Sequence, residues 1–401
     1  MTDAPTMPLS EIRGQRVGLV LSGGGARGAF QVGVWDVLRH HPDGLGGPPT
    51  VISGTSAGAL NGALIAAGRT PAEILDFWLD LADRPPVKGN GAFFSSLEAA
   101  VRKLALREPL RRLHQRTRAA RIAAQLVRKH AFFKRGGRLA FWLEYLLTAR
   151  FDTLSELLDS VYTTHLLSTE PVRQRLEKAM AGPVVPPTDV RLAINAVDIR
   201  TGQVQRFVNH APQRHADSDD EVYVRGPITV DMVLASASIP LLFNPVRVAG
   251  RDLWDGGLLV NTPLAPTVAL GATHIVPVLV TAGRHGANDE RLSFGAAVER
   301  LADAFLENAY NTDRKLLLER NRLAASAPEL GFSQVTLFEA IRPTSSHDFN
   351  AGSYLFFERR AMTRMFEAGR AAARAWLAAG PRLDTRPGHP LTLDGPLRAV
   401  R

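Results

Sequence analysis

The chain is 401 residues long, 45% hydrophobic and 22% charged, enough for one large α/β domain with additions around its own core. It has no cysteine, which excludes disulfides and thiolate metal sites and gives no sign of an oxidising compartment. Its net charge of +9 is local: residues 101–150 carry 14 Lys/Arg against Glu108 and Glu144, a net of +12, so the remainder sums to −3.

Residues 1–15 are polar, contain Pro5 and Pro8, and read as an N-terminal tail without the apolar core of a signal peptide. Val17 to Leu21 is an apolar, strand-like run. It leads into Ser22-Gly23-Gly24-Gly25-Ala26-Arg27-Gly28 and then a helical pattern. Gly23, Gly25 and Gly28 satisfy G-x-G-x-x-G, so a dinucleotide-binding turn is one reading. That turn wants an Asp or Glu about 20 residues on, at the end of the next strand. Here Gly46 to Thr50 lead into Val51 with no carboxylate before Ser56, and no Gly-Lys-Ser/Thr follows to make a P-loop. A row of glycines also offers backbone N–H groups that can point at an oxyanion. The plainer alternative is a turn that lets a helix pack closely.

Val51-Ile52 is the next strand-like run, and Gly54-Thr55-Ser56-Ala57-Gly58 follows it, opening a small-residue helical pattern from Ala57 to Ala67. Strand, tight turn and helix are the setting of a G-x-S-x-G nucleophile elbow. The turn is so sharp that the positions two before and two after the serine must lack side chains. Ser56 then stands at a helix N-terminus, where the dipole and free N–H groups favour developing negative charge.

A helical insertion is expected over about Pro85 to His165 and contains the basic stretch. Leu106, Leu110 and Leu113 recur at helical spacing, as do Trp142, Tyr145, Leu146 and Ala149, with Phe132, Phe133 and Phe141 among the cations. Such helices suit an anionic membrane surface, where each cation near the headgroups contributes about 1 kcal/mol. A solvated helical face is the plain alternative. Nucleic acid is a further rival, but no groove-reading or RNA-binding motif is present.

Pro183 to Pro187 marks the return to the sheet, and strand-like runs follow at Leu192–Ile199, Val246–Trp254 and His274–Val280. The second ends in Trp254-Asp255-Gly256-Gly257. Taken alone, Asp-Gly-Gly is an ordinary turn. A desolvated carboxylate at a strand end can also take a proton from a serine, which is a weak nucleophile without a base. Phe294, Val298, Leu301 and Phe305 form a helical stripe expected to face the core. Val335 to Ile341 reads as a further strand, and Met362, Phe366, Gly369, Ala373 and Trp376 as a packing face. Residues 381–401, with scattered prolines, read as a mobile tail. Alternation of strands and helices predicts an α/β fold with a mostly parallel central sheet and helices on both faces. No run approaches the roughly 18 apolar residues needed to span a bilayer, so a cytoplasmic protein with peripheral membrane contact is expected.

In order, Gly23-Gly24-Gly25-Ala26-Arg27-Gly28, Gly54-Thr55-Ser56-Ala57-Gly58 and Asp255-Gly256-Gly257 resemble the patatin-like phospholipase family. Ala235 to Pro240, and the hairpin from Leu192 to Val208 with its Asp198 and Thr201-Gly202 turn, also look like family segments. The resemblance covers about residues 16–268, which would form the catalytic domain around the insertion. Residues 269–380 would then be a C-terminal α/β extension packing on it. The resemblance implies a Ser56–Asp255 dyad hydrolysing lipid acyl esters at a membrane surface. It implies an oxyanion hole over Gly23, Gly24, Gly25, Arg27 and Gly28, centred on the Gly24–Gly25 backbone, with Arg27 shaping the loop or adding positive potential. The substrate would be a phospholipid or other lipid ester, and no cofactor or metal is expected. Transfer of the acyl group to an alcohol, or a non-catalytic lipid-binding role, are the alternatives. His210, His215 and His274 are the histidines that a hidden triad would draw on.

Overall fold

The computed structural model describes residues 5–84, 86–100, 163–213, 221–282, 294–344 and 357–385, and single positions 159, 161, 349 and 354. The basic stretch 101–150, His215 and the tail beyond residue 385 lie outside the described residues.

Twelve strands are present among them: β1 (Val17–Leu21), β2 (Val51–Gly54), β3 (Lys88–Gly89), β4 (His165–Ser168), β5 (Arg191–Asp198), β6 (Val204–Val208), β7 (Glu221–Arg225), β8 (Leu241–Phe243), β9 (Val246–Val248), β10 (Arg251–Asp255), β11 (His274–Val278) and β12 (Thr336–Leu337). The main helices are α1 (Gly28–His40), α2 (Ala57–Ala66), α3 (Pro71–Asp83), α4 (Glu170–Met180), α5 (Val230–Ser236), α6 (Leu264–Ala269), α7 (Phe294–Ser326) and α8 (Arg359–Ala378). The chain divides into two compact units. One comprises Met1–Lys88, Thr169–Pro240 and Pro245–Arg401, and the other Gly89–Ser168 with Leu241–Asn244.

The larger unit holds a nine-stranded sheet whose main path is β12-β11-β1-β2-β5-β10-β9, with β6 and β7 branching from β5. From β12 to β5 every pairing is parallel. β10 then pairs antiparallel with β5, and β9 antiparallel with β10. β1 reads as an unbroken apolar run because it is covered on both faces, as parallel strands are. Its alternate residues serve different layers. Leu19 and Leu21 join Ile52, Ile194 and Val276 in the core beneath α1, α2 and α8. Val20 joins Val51, Ala193 and Ile275 in a second core beneath α6 and α7. The expected packing face of α8 is buried at Met362, Phe366, Gly369 and Ala373. A small sheet ordered β3-β4-β8 belongs to the other unit, with β3 at its border.

β5 is the strand that sets up the site. Its first half pairs with β2, placing Gly54 opposite Ile194. Its second half pairs on the same edge with β10, placing Asp255 opposite Ala196. The other edge of β5 is taken by β6, which pairs across both halves. Being parallel and antiparallel to β5 respectively, β2 and β10 run toward each other and end two residues apart along it.

Four details depart from expectation. The run Val246–Trp254 is a hairpin rather than one strand, turning at Ala249 and Gly250, which both have positive φ (48° and 82°). Leu301 and Phe305 on α7 are 73% and 54% exposed, so these two residues of the expected stripe face outward rather than the core. Within residues 1–15, Leu9 and Ile12 are buried in the main core, and the Met7 N–H donates to the Pro381 carbonyl. Asp384, in the expected tail, pairs with Arg314 of α7.

Candidate active site

Ser56 joins β2 to α2 with φ 54° and ψ −119°, a conformation that costs a non-glycine residue on the order of 1–3 kcal/mol. The surroundings hold it there. Its N–H donates to Ser236 Oγ at 3.0 Å, and its carbonyl accepts from Ala59 at 2.9 Å in the first turn of α2. A side chain at Gly54 would collide with the Gly58 carbonyl, and one at Gly58 with the Leu21 carbonyl of β1. The elbow glycines are therefore required by close backbone approach.

The residue before the serine is tied down independently. Thr55 Oγ1 donates to the Val260 carbonyl at 2.9 Å and accepts from Asn195 Nδ2 at 3.2 Å. Asn195 in turn accepts from Arg206 at 3.4 Å, and Arg206 is fastened to Glu221 at 3.0 Å. Thr55, Asn195 and Arg206 are all buried, so this chain of polar groups is satisfied internally.

Asp255 ends β10 and is only 5% exposed. Its N–H donates to the Ser238 carbonyl at 2.9 Å. Its carboxylate accepts from the Gly257 N–H at 2.7 Å, and the Ser56 hydroxyl lies near enough to bias its ionisation. Burial pushes the carboxyl up to about 7; the Gly257 N–H and the Ser56 hydroxyl pull the other way without overcoming it. A carboxylate of that basicity is suited to general-base work near neutral pH.

The glycine loop borders the serine: a Cβ at Gly23 would lie 3.2 Å from Ser56 Cβ. Its N–H groups divide into two sets. Gly23 donates to the Asn261 carbonyl at 3.0 Å, Arg27 to Gly24 at 3.2 Å, and Gly28 to Gly25. Those three are committed within the protein and are not oxyanion donors, which corrects the wider loop expected from sequence. The N–H groups of Gly24 and Gly25 have no acceptor among the described residues. Nor does Arg27 add positive potential to the site. Its guanidinium is fully buried and paired with Asp303 at 3.2 Å.

The described histidines lie elsewhere. His274 begins β11 opposite Val17, at the far end of the strand from the loop after Leu21. His210 bonds Asn209, which pairs with Leu192 near the start of β5. Four residues that support the site were not singled out as supports from sequence: Ser236, Asn195, Asn261 and Asp303. Ser236 lies in the family-like stretch 235–240, which was its one signal.

Fold and site together define an α/β protein with a serine at a nucleophile elbow and a buried carboxylate against it. The patatin-like phospholipase family model matches residues 19–268, and the chain belongs to that family. A stretch of 53 residues, 13% of this chain and 3% of the relative, is 57% identical to the lysophospholipase nte1 of Aspergillus terreus. Another of 64 residues, 16% of this chain and 4% of the relative, is 45% identical to the patatin-like phospholipase domain-containing protein ZK370.4 of Caenorhabditis elegans. The matched stretches are thus a small part of either relative. Among solved structures, VipD from Legionella pneumophila aligns with a TM-score of 0.36 and 14% identity, over 92% of this chain and 68% of its own.

Proposed function

We propose that this protein is a lipid acyl hydrolase that cleaves carboxylic esters of phospholipids or related lipids at a membrane surface, with Ser56 as nucleophile and Asp255 as base. The observation that carries the reading is the strained elbow serine beside a buried carboxylate that burial raises to about 7. Support for a lipid ester as substrate comes from family membership and from the relatives' names, lysophospholipase and patatin-like phospholipase.

Ionised Asp255 accepts the Ser56 proton as Oγ attacks the ester carbonyl. The oxyanion of the tetrahedral intermediate accepts from Gly24 and Gly25, and losing one such donor costs about 2.7–4 kcal/mol of activation. Collapse expels the alcohol portion of the lipid, which takes the proton from Asp255 and leaves the acyl group on Ser56. Asp255 then deprotonates water, which attacks the acyl-enzyme; the fatty acid leaves and the proton returns to Ser56. The cationic stretch 101–150 is assigned to docking on anionic lipid. Among the described residues no helix is long and apolar enough to cross a membrane.

The test is fatty-acid release from phosphatidylcholine vesicles and lysophosphatidylcholine micelles by the wild-type protein and Ser56→Ala. Release by the wild type and a loss of at least about a thousandfold in the variant are expected. Equal release by both would overturn the assignment.

A further inference from the structure

We infer that Asp303 and Tyr354, both outside the family-matched residues 19–268, are positioning residues that hold the Gly24–Gly25 donors in place through Arg27 and Gly25. The inference rests on the hydrolase reading above and adds to it a part of the chain that the family match does not cover.

A guanidinium with no solvent exposure must find its compensation inside the protein. Arg27 finds partners for it on the C-terminal side of the chain. It donates to Asp303 Oδ1 of α7 at 3.2 Å, to the Phe349 carbonyl at 2.9 Å and to the Val280 carbonyl at 3.3 Å. Its guanidinium carbon lies 3.7 Å from the centre of the Tyr354 ring and 5.6 Å from that of Phe349. The Tyr354 hydroxyl donates to the same Asp303 oxygen, closing a three-membered cluster. Burial pushes that phenol's ionisation upward, so it stays a donor over the working pH range.

The same segment also touches the loop by backbone. The Tyr354 carbonyl occupies the place a Cβ would take on Gly25, which itself sits at φ +55°. The Val280 side chain occupies the corresponding place on Gly24. Both unbonded N–H groups therefore sit on residues packed against Val280 and Tyr354, and Arg27, at the end of the same turn, is anchored to Asp303. A displacement of about 1 Å at a reacting group can cost on the order of a hundredfold in rate. The cluster thus sets the loop geometry without touching substrate.

The experiment compares Asp303→Asn and Tyr354→Phe with wild type, using the full chain. Tyr354→Phe keeps the ring and the carbonyl and removes only the hydroxyl, so it carries the test if Asp303→Asn does not fold. Active sites are counted with a fluorophosphonate, kcat per labelled site and KM are measured on lysophosphatidylcholine, and amide exchange is followed over residues 22–30. The expected result is unchanged KM and a kcat per site lower by roughly a hundredfold for Asp303→Asn and roughly tenfold for Tyr354→Phe. Exchange over 22–30 should quicken in both, because the Arg27 and Gly28 N–H bonds to Gly24 and Gly25 open more often. Asp303→Glu should recover part of the lost kcat. Wild-type kcat per site in both folded variants, or a loss of kcat without faster loop exchange, would overturn the inference. If the wild type neither labels nor hydrolyses, the hydrolase reading falls first, and exchange alone then decides: unchanged exchange would overturn the clamp as well.

Discussion

Asp255 reaches Ser56 because β2 and β10 approach each other along one edge of β5, where Gly54 lies opposite Ile194 and Asp255 opposite Ala196. The serine is thereby delivered at the end of a parallel strand and the carboxylate at the end of an antiparallel one. The switch of strand direction at β5 brings the two chain ends together while leaving the carboxylate buried.

The raised carboxyl predicts a pH profile. Catalysis needs ionised Asp255, so kcat/KM should rise with pH and level off above a midpoint of about 7. A midpoint near 4, the ordinary carboxylate range, would contradict the assignment of Asp255 as the base.

The same group predicts a stability effect. Its folded value lies above its unfolded one, so between about pH 4 and about pH 7 the folded state keeps a proton that the unfolded chain has released. This contribution to stability falls as pH rises across that window and is flat above it. Asp255→Asn should therefore lower kcat by roughly 10²–10⁴ while making the protein more stable at about pH 8, with the gain shrinking toward about pH 5. Urea unfolding at the two pH values measures it; a variant less stable than wild type at about pH 8 would contradict the burial argument.

Ser236→Ala should weaken the elbow specifically. It leaves the buried Ser56 N–H without its acceptor, a cost of about 1–3 kcal/mol, at a residue already held at positive φ. Labelling of Ser56 should slow more than the loss of folded protein explains. Wild-type labelling per folded molecule would show that this hydrogen bond does not position the serine.

Much of this was legible in the sequence, and the boundary of legibility is physical. β1 and the elbow were readable because short-range chemistry dictates them: an apolar run buried on both faces, and a turn too tight for side chains at Gly54 and Gly58. The hairpin inside Val246–Trp254 was missed because it turns on Ala249 at positive φ, a conformation alanine seldom adopts. Leu301 and Phe305 face outward against expectation because a 3.6-residue period groups them without saying what covers them. Arg27 and Asp303 are 276 positions apart, and no local pattern joins such residues. The glycine loop narrowed to Gly24 and Gly25 only once the other N–H groups had partners.

Thr55 offers a paired substitution. Thr55→Val removes, at a buried residue, the donor to Val260 and the acceptor for the buried Asn195, and should cost about 1–3 kcal/mol by denaturant unfolding. Thr55→Ser keeps the hydroxyl and should cost less, about 1 kcal/mol, for the lost methyl group. Equal destabilisation by the two would mean that the polar chain from Arg206 through Asn195 does not fix the elbow.

The assignment of the basic stretch predicts salt-sensitive docking. Binding to vesicles containing phosphatidylserine should weaken steeply as ionic strength approaches about 1 M, where the Debye length falls to about 3 Å. Co-sedimentation across a salt series measures it. Binding that ignores salt, or equals that on pure phosphatidylcholine, would remove the docking role of residues 101–150.

The most direct test of the central claim is mass spectrometry of the purified protein after a fluorophosphonate probe. The account predicts a single adduct on the peptide containing Ser56, absent from Ser56→Ala and much slower to form in Asp255→Asn. An adduct on another residue, or equal labelling of Ser56→Ala, would contradict it.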